Sequence, residues 1–175
     1  MNPTIASLFK VGILKDVQIL VVDNDVDSGV LYTIFLQNFG ANVIATNSIK
    51  KALKSLNGFV PHIIICEIRF LDENVYTLLN KLTEMEAFSK KHIPIIVTST
   101  CTKGTIEQIP EIEFEGYLLK PIDLDKLFVM IESLVPLDRK NLLADKLKQL
   151  FVDSLDAANS LLMGIQFLGL TKDYE

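Results

Sequence analysis

Five short apolar runs, each breaking off at polar residues, recur along residues 17–120: VQILVV (17–22), ANVIAT (41–46), HIIICE (62–67), IPIIVT (93–98) and GYLLK (116–120). A strand with one face in water alternates apolar and polar residues, whereas a strand covered on both faces reads as an unbroken apolar run. VQILVV and HIIICE are of the second kind. Between the runs lie segments with helical spacing. One covers roughly 27–38, with Asp27 or Ser28 as its cap, Leu31, Ile34 and Phe35 on its inner stripe and Gly40 closing it. The segment 48–56 turns Ile49, Leu53 and Leu56 inward, another helix spans roughly 74–86, and Asp123 caps one at about 123–134. Buried strands alternating with helices imply a parallel sheet with helices on both faces. The expected fold is α/β, a doubly wound five-stranded parallel sheet over residues 17–135, flanked by an N-terminal extension (1–16) and a C-terminal helical extension (136–175).

Such sheets bind ligands beyond the carboxyl ends of their strands. Asp23, Glu67, Ser99 and Lys120 all fall at those ends, with Asn24, Asp25 and Thr100 beside them. Four polar side chains converging there mark the candidate site.

The composition narrows the function classes. The chain has 175 residues, 49% of them apolar and a net charge of −5, which suits one domain plus an appendage. An acidic balance leaves no electrostatic footprint for nucleic acid, and the basic pairs Lys50-Lys51, Lys90-Lys91 and Arg139-Lys140 read as solvated helix ends. The two cysteines, Cys66 and Cys101, suggest a reducing compartment, with Cys66 a buried inert thiol. MNPTIASLFKVGILKD lacks a signal-peptide layout, and no apolar run approaches the ~18 residues that span a bilayer. A cytoplasmic protein without membrane or nucleic-acid partners is expected.

After Pro136 the pattern becomes purely helical. Asp138 is the cap, Leu143, Leu147, Phe151, Leu155, Ala158 and Leu162 recur at three or four, and Leu142, Leu150 and Leu161 widen the stripe. So apolar a helix needs cover. Pairing with a second copy through residues 138–165, docking to another protein and folding over the domain all remain open.

The strand-end residues VVDND, HIIICE, PIIVTST and GYLLKP together resemble the receiver domain of two-component response regulators, CheY-like and flavodoxin-like in fold. The resemblance covers about residues 17–135. It implies that Glu67 stands at the phosphoacceptor position, normally an aspartate. Asp23 and Asn24 stand at the acidic pair that binds magnesium with the acceptor, Ser99 and Lys120 at the residues that sense the phosphoryl group, and Tyr117 at the aromatic switch. Arg69 occupies the position whose backbone carbonyl usually joins the metal shell. Leu71 and Val75 replace the usual Pro and Gly of the following loop. TKGTIEQIPEIEF, with Gly104 and Pro110, suggests a short or irregular element where a regular helix is usual.

These departures bear on the chemistry. An acyl phosphate forms when a carboxylate oxygen attacks a phosphorus held in line by metal and lysine. One extra methylene moves that oxygen by about 1 Å, enough to cost ~10²-fold. An amide at position 24 can still ligate but brings no charge to a hard cation, so Asp23 is left as a weak candidate metal ligand and no cofactor is expected beyond a doubtful magnesium. Glu67 is long enough to reach Lys120 and stand in for the phosphorylated aspartate, and Arg69 is close enough in sequence to pair with it. The expectation is an atypical, unphosphorylated receiver that works by protein contact, with no catalytic residue and no turnover of its own. Its partners would be a histidine kinase or a downstream effector. The alternative is a weakened magnesium-dependent phosphoacceptor. The loop DNDVDSG repels a flavin phosphate, no Ser–His–acid set is present, and the tail lacks the histidine a phosphotransfer helix needs.

Overall fold

The sheet forms from β1 (Gln18–Val22), β2 (Asn42–Thr46), β3 (Ile63–Glu67), β4 (Ile95–Ser99) and β5 (Gly116–Leu119). All neighbours pair in parallel, in the order β2-β1-β3-β4-β5. The structure is a computed structural model and describes residues 12–70, 73–100, 114–136, 152–157, 159–161 and 163. Among the described residues of the first unit, four helices connect or follow the strands: α1 (Val26–Gln37), α2 (Ile49–Ser55), α3 (Val75–Ser89) and α4 (Leu124–Leu134). Chain contacts divide the protein into two units, Met1–Leu137 and Asp138–Glu175.

Each face of the sheet has its own core. Ile19, Val21, Ile63, Ile65, Ile96 and Leu118 pack with Tyr32 and Leu36 of α1 and Leu127, Phe128 and Ile131 of α4. The alternate residues Leu20, Val22, Ile64, Cys66, Ile95 and Val97 pack with Ile49 and Ala52 of α2 and Val75, Leu78 and Leu82 of α3. Both sides of β1, β3 and β4 are therefore dry, which is why their sequences do not alternate. Leu14, fully buried, also belongs to the first core. Its turn meets the end of α1 at Gly40, where φ is +90° and an added Cβ would lie 3.1 Å from the Gly12 Cα; only glycine suits such a place.

Several elements differ from the sequence expectation. α1 starts one residue earlier and is capped by Asp25, whose side chain accepts from the Asp27 N–H at 3.1 Å. Its inner stripe is Gly29, Tyr32 and Leu36, whereas Leu31 and Ile34 are 49% and 57% exposed. The helix is apolar on all sides, so its periodicity carried no information about which side faces the sheet. α3 runs to Ser89 and closes on Lys90 in a left-handed conformation, φ 56°. β4 begins at Ile95, two residues into the expected run. Ser48 and Asp123 cap α2 and α4. Lys50, Lys51, Lys90 and Lys91 are exposed. In the second unit, 152–157, 159–161 and 163 are helical, with Val152, Leu155, Leu161 and Met163 exposed. Asp138, Cys101, Leu71, Arg139, Lys140, the segment 101–113 and the other tail positions lie outside the described residues.

Candidate functional site

Strand alternation sends the charged side chains the same way. Val21, Ile65 and Leu118 lie in the core under α1 and α4; Asp23, Glu67 and Lys120 come two residues later and continue that side at the strand ends. β1 and β3 are adjacent, but β4 separates β3 from β5, a gap of about 10 Å at sheet spacing. Two long side chains, a lysine and a glutamate, cross it.

Lys120 Nζ lies 2.9 Å from Asp23 Oδ1, 2.8 Å from Asp23 Oδ2 and 3.1 Å from Glu67 Oε2. The side chains of Asp23 and Glu67 are 1% and 4% exposed, that of Lys120 14%. Two carboxylates this deep repel each other and lose their hydration, and the shared ammonium offsets both costs. Burial pulls the lysine's pKa down, but its hydrogen bonds to and the charges of Asp23 and Glu67 outweigh that and hold it above the ordinary value. Tyr32 lies close beneath: burial first, then the Asp23 charge, pushes its phenol up to about 12. The Cys66 thiol, fully in the core, is raised by burial and then by the Glu67 and Asp23 charges, which keeps it protonated and inert.

The loop after β3 closes over the acids. Arg69 N–H donates to Glu67 Oε1 at 3.0 Å, and Asn24 Nδ2 donates to the Arg69 carbonyl at 3.0 Å. Asp25 N–H donates to Asp23 Oδ1 at 3.0 Å. Further along, the Glu73 carboxylate accepts from the Ile49 and Lys50 N–H groups at 2.6 and 3.2 Å, tying the loop to the start of α2. Asp25 accepts from Ser28 Oγ at 2.6 Å, and that bond holds its carboxyl below the usual range.

Asp23, Glu67 and Lys120 thus meet, and Asn24 joins them through the loop. Arg69 requires a correction. Its side chain is exposed and forms no ion pair among the described residues; the cation on Glu67 is Lys120, and Arg69 contributes its main-chain groups. The tight turn after β3 aims the backbone N–H, not the guanidinium, at the carboxylate. Ser99 is buried in β4 and its carbonyl accepts from Lys120 N–H at 2.8 Å. Tyr117 is half-buried, tilted against Phe114 with ring centroids 6.4 Å apart. Glu73 and Tyr32 escaped the sequence reading. Tyr32 was recoverable as the aromatic of the alternative α1 stripe; Glu73 carried no signal, because its partners lie over twenty residues upstream.

The profile of the response regulator receiver domain matches residues 19–132. The chain belongs to this family. Among curated relatives, the transcriptional regulatory protein ZraR of Escherichia coli K12 is 26% identical over 118 residues, 67% of this chain. The probable transcriptional regulator ycf29 of Pyropia yezoensis is 29% identical over 121 residues, 69% of this chain and 54% of its own length. The chain spans only about a quarter (26%) of ZraR. Among solved receivers, a two-component response regulator from Clostridium difficile superposes with a TM-score of 0.59 at 21% identity, covering 68% of this chain and 95% of its own. The chemotaxis response regulator CheY4 of Vibrio cholerae gives 0.59 at 18% identity, covering 68% and 98%. At these identities the superpositions establish the CheY-like, flavodoxin-like fold. Among the described residues no helix is long and apolar enough to cross a membrane.

Proposed function

We propose that this receiver is not phosphorylated and is held in one state by its internal ion pair, passing its signal through protein contacts in two-component signalling without turning over a substrate. The observation that carries the reading is the Lys120 ammonium, shared between Asp23 and Glu67 at 2.8–3.1 Å. A phosphorylated aspartate presents an anionic oxygen beyond the length of the aspartate itself; Glu67 presents one there permanently. Its carboxylate is also a poor nucleophile for phosphorus. Oε2 faces the lysine, Oε1 accepts from Arg69 N–H, and the extra methylene misplaces both by about 1 Å, worth ~10²-fold in rate. In this reading Ser99 and Tyr117 keep the sensing and switch positions. The partner is a histidine kinase or an effector of the kind suggested by relatives named as transcriptional regulators. The exposed Val152, Leu155, Leu161 and Met163 favour a second copy of the tail helix as a further partner, since like helices pair most simply by two-fold symmetry.

The test is intact-mass spectrometry after incubation with acetyl phosphate and magnesium. Wild type should gain no phosphoryl group, while Asn24→Asp/Glu67→Asp, which restores the acidic set, should gain one. Phosphorylation of wild type would instead make the chain a slow but working phosphoacceptor.

A further inference from the structure

The family implies a magnesium ion held by Asp23, the residue at position 24, the acceptor carboxylate and the carbonyl of residue 69. The donor set of this chain does not fit one. Mg²⁺ needs near-octahedral oxygen ligands with free lone pairs, usually one or two carboxylates and several waters. Here most protein oxygens that should face the cation already face a proton donor; Asp23 Oδ2 accepts no hydrogen bond, but the Lys120 ammonium lies against it. Asp23 Oδ1 accepts from Asp25 N–H at 3.0 Å and from Lys120 Nζ at 2.9 Å, and Asp23 Oδ2 lies 2.8 Å from the same ammonium. Glu67 Oε1 accepts from Arg69 N–H at 3.0 Å, and Oε2 lies 3.1 Å from Lys120 Nζ. The Arg69 carbonyl accepts from Asn24 Nδ2 at 3.0 Å. We infer that the Asn24 amide and the Lys120 ammonium together replace the divalent cation, so that the pocket and the loop after β3 are held in place without metal.

The residue chemistry explains why the replacement is self-consistent. A carbonyl at the exposed mouth of the pocket is met by water, a cation or a side-chain donor, and here the Asn24 amide takes that place. An aspartate at position 24 has only acceptor oxygens and would repel that carbonyl unless a cation lay between them. Asparagine offers an N–H and so needs no ion. The change at position 24 therefore does two things at once: it removes a charge that would attract magnesium, and it supplies the hydrogen bond that magnesium would have made unnecessary. Glu73, bonded to the start of α2, anchors the far end of the same loop.

A metal titration without any phosphodonor tests this independently of the acceptor chemistry proposed above. Mn²⁺ is added to the full chain and to Asn24→Asp and Asn24→Ala, with backbone NMR signals of residues 23–25 and 67–69 followed for paramagnetic broadening. Thermal melting is followed in MgCl₂ against KCl of matched ionic strength. Wild type and Asn24→Ala should show no saturable broadening and no magnesium-specific rise in melting temperature; Asn24→Asp should show both. Asn24→Ala should also let the loop after β3 open about fivefold more often, the effect of losing the bond from the Asn24 amide to the Arg69 carbonyl, so that the Arg69 amide proton, itself bonded to Glu67 Oε1, exchanges faster by that factor. Saturable broadening at Asp23 and Glu67 in wild type overturns the inference. So does an Asn24→Asp variant that binds no better than wild type, and so does unchanged Arg69 exchange in Asn24→Ala. Phosphorylation of wild type in the separate mass experiment would sink the proposed function while leaving the titration result to stand or fall alone.

Discussion

Lys120 is the residue on which the pocket's stability turns. It faces two carboxylates whose side chains are at most 4% exposed, and removing it would leave both buried without a counter-charge. Losing one member of a buried ionic set costs about 3–5 kcal/mol, largely from the charge left behind. Lys120→Met should therefore lose stability of that order in urea unfolding. Adding Glu67→Gln to it should recover part of the loss, because one uncompensated charge disappears; additive losses would show that the two side chains do not interact. The contribution of Lys120 should not vary near neutrality. Its folded-state pKa is raised above 10.5, so its stabilisation is fully present below that value and fades only as pH rises beyond it.

At the scale of single elements, α1 and the loop before β4 carry the informative differences. α1 buries Tyr32 (1% exposed) and leaves Ile34 57% exposed. Tyr32→Ala should cost about 3–5 kcal/mol, whereas Ile34→Ala should stay within about 0.5 kcal/mol. Equal losses at both positions would mean that the helix is rotated, with Ile34 as buried as Tyr32. Before β4, His92 bridges two other elements: Nδ1 lies 2.8 Å from Glu86 of α3 and Nε2 2.6 Å from Glu115, just before β5. Each glutamate also accepts a backbone N–H, from Ile93 at 2.6 Å and Ile95 at 2.7 Å respectively. The hydrogen bond to Glu115 is the main reason the His92 pKa is raised above 6.5; burial opposes it, and the charges of Glu115 and Glu86 add to it. A raised folded-state value means stability fully present below pH 6.5 and lost as pH climbs through the folded pKa. With a side chain 63% exposed, solvent screening keeps the gain under about 1 kcal/mol. Melting curves at a series of pH values above 6 should show His92→Gln with a flatter dependence than wild type; parallel curves would exclude the bridge.

At the scale of the whole molecule, what the sequence revealed follows from what is local. Unbroken runs such as VQILVV and HIIICE identified buried parallel strands, and the polar residue ending each run located Asp23, Glu67 and Lys120, because position in a parallel sheet is read directly from where a strand stops. The helix faces were less legible where a helix is apolar all round, as α1 is. Contacts between distant segments were illegible: nothing near His92 announces Glu115, and nothing near Asn24 announces that its amide meets the Arg69 carbonyl. The division at Leu137 has its own consequence. Among the described residues both cores draw on Leu14 to Val135, and a chain of that size buries enough surface to fold alone. A protein ending at Leu137 should therefore unfold in one cooperative urea transition, with a slope of about 1–3 kcal/mol/M. If the tail helix pairs with a second copy, sedimentation should give a dimer for the full chain and a monomer for the shortened one. A shortened protein that stays dimeric would place the contact on the receiver itself, and one that unfolds without a cooperative transition would show that its two cores are not sufficient.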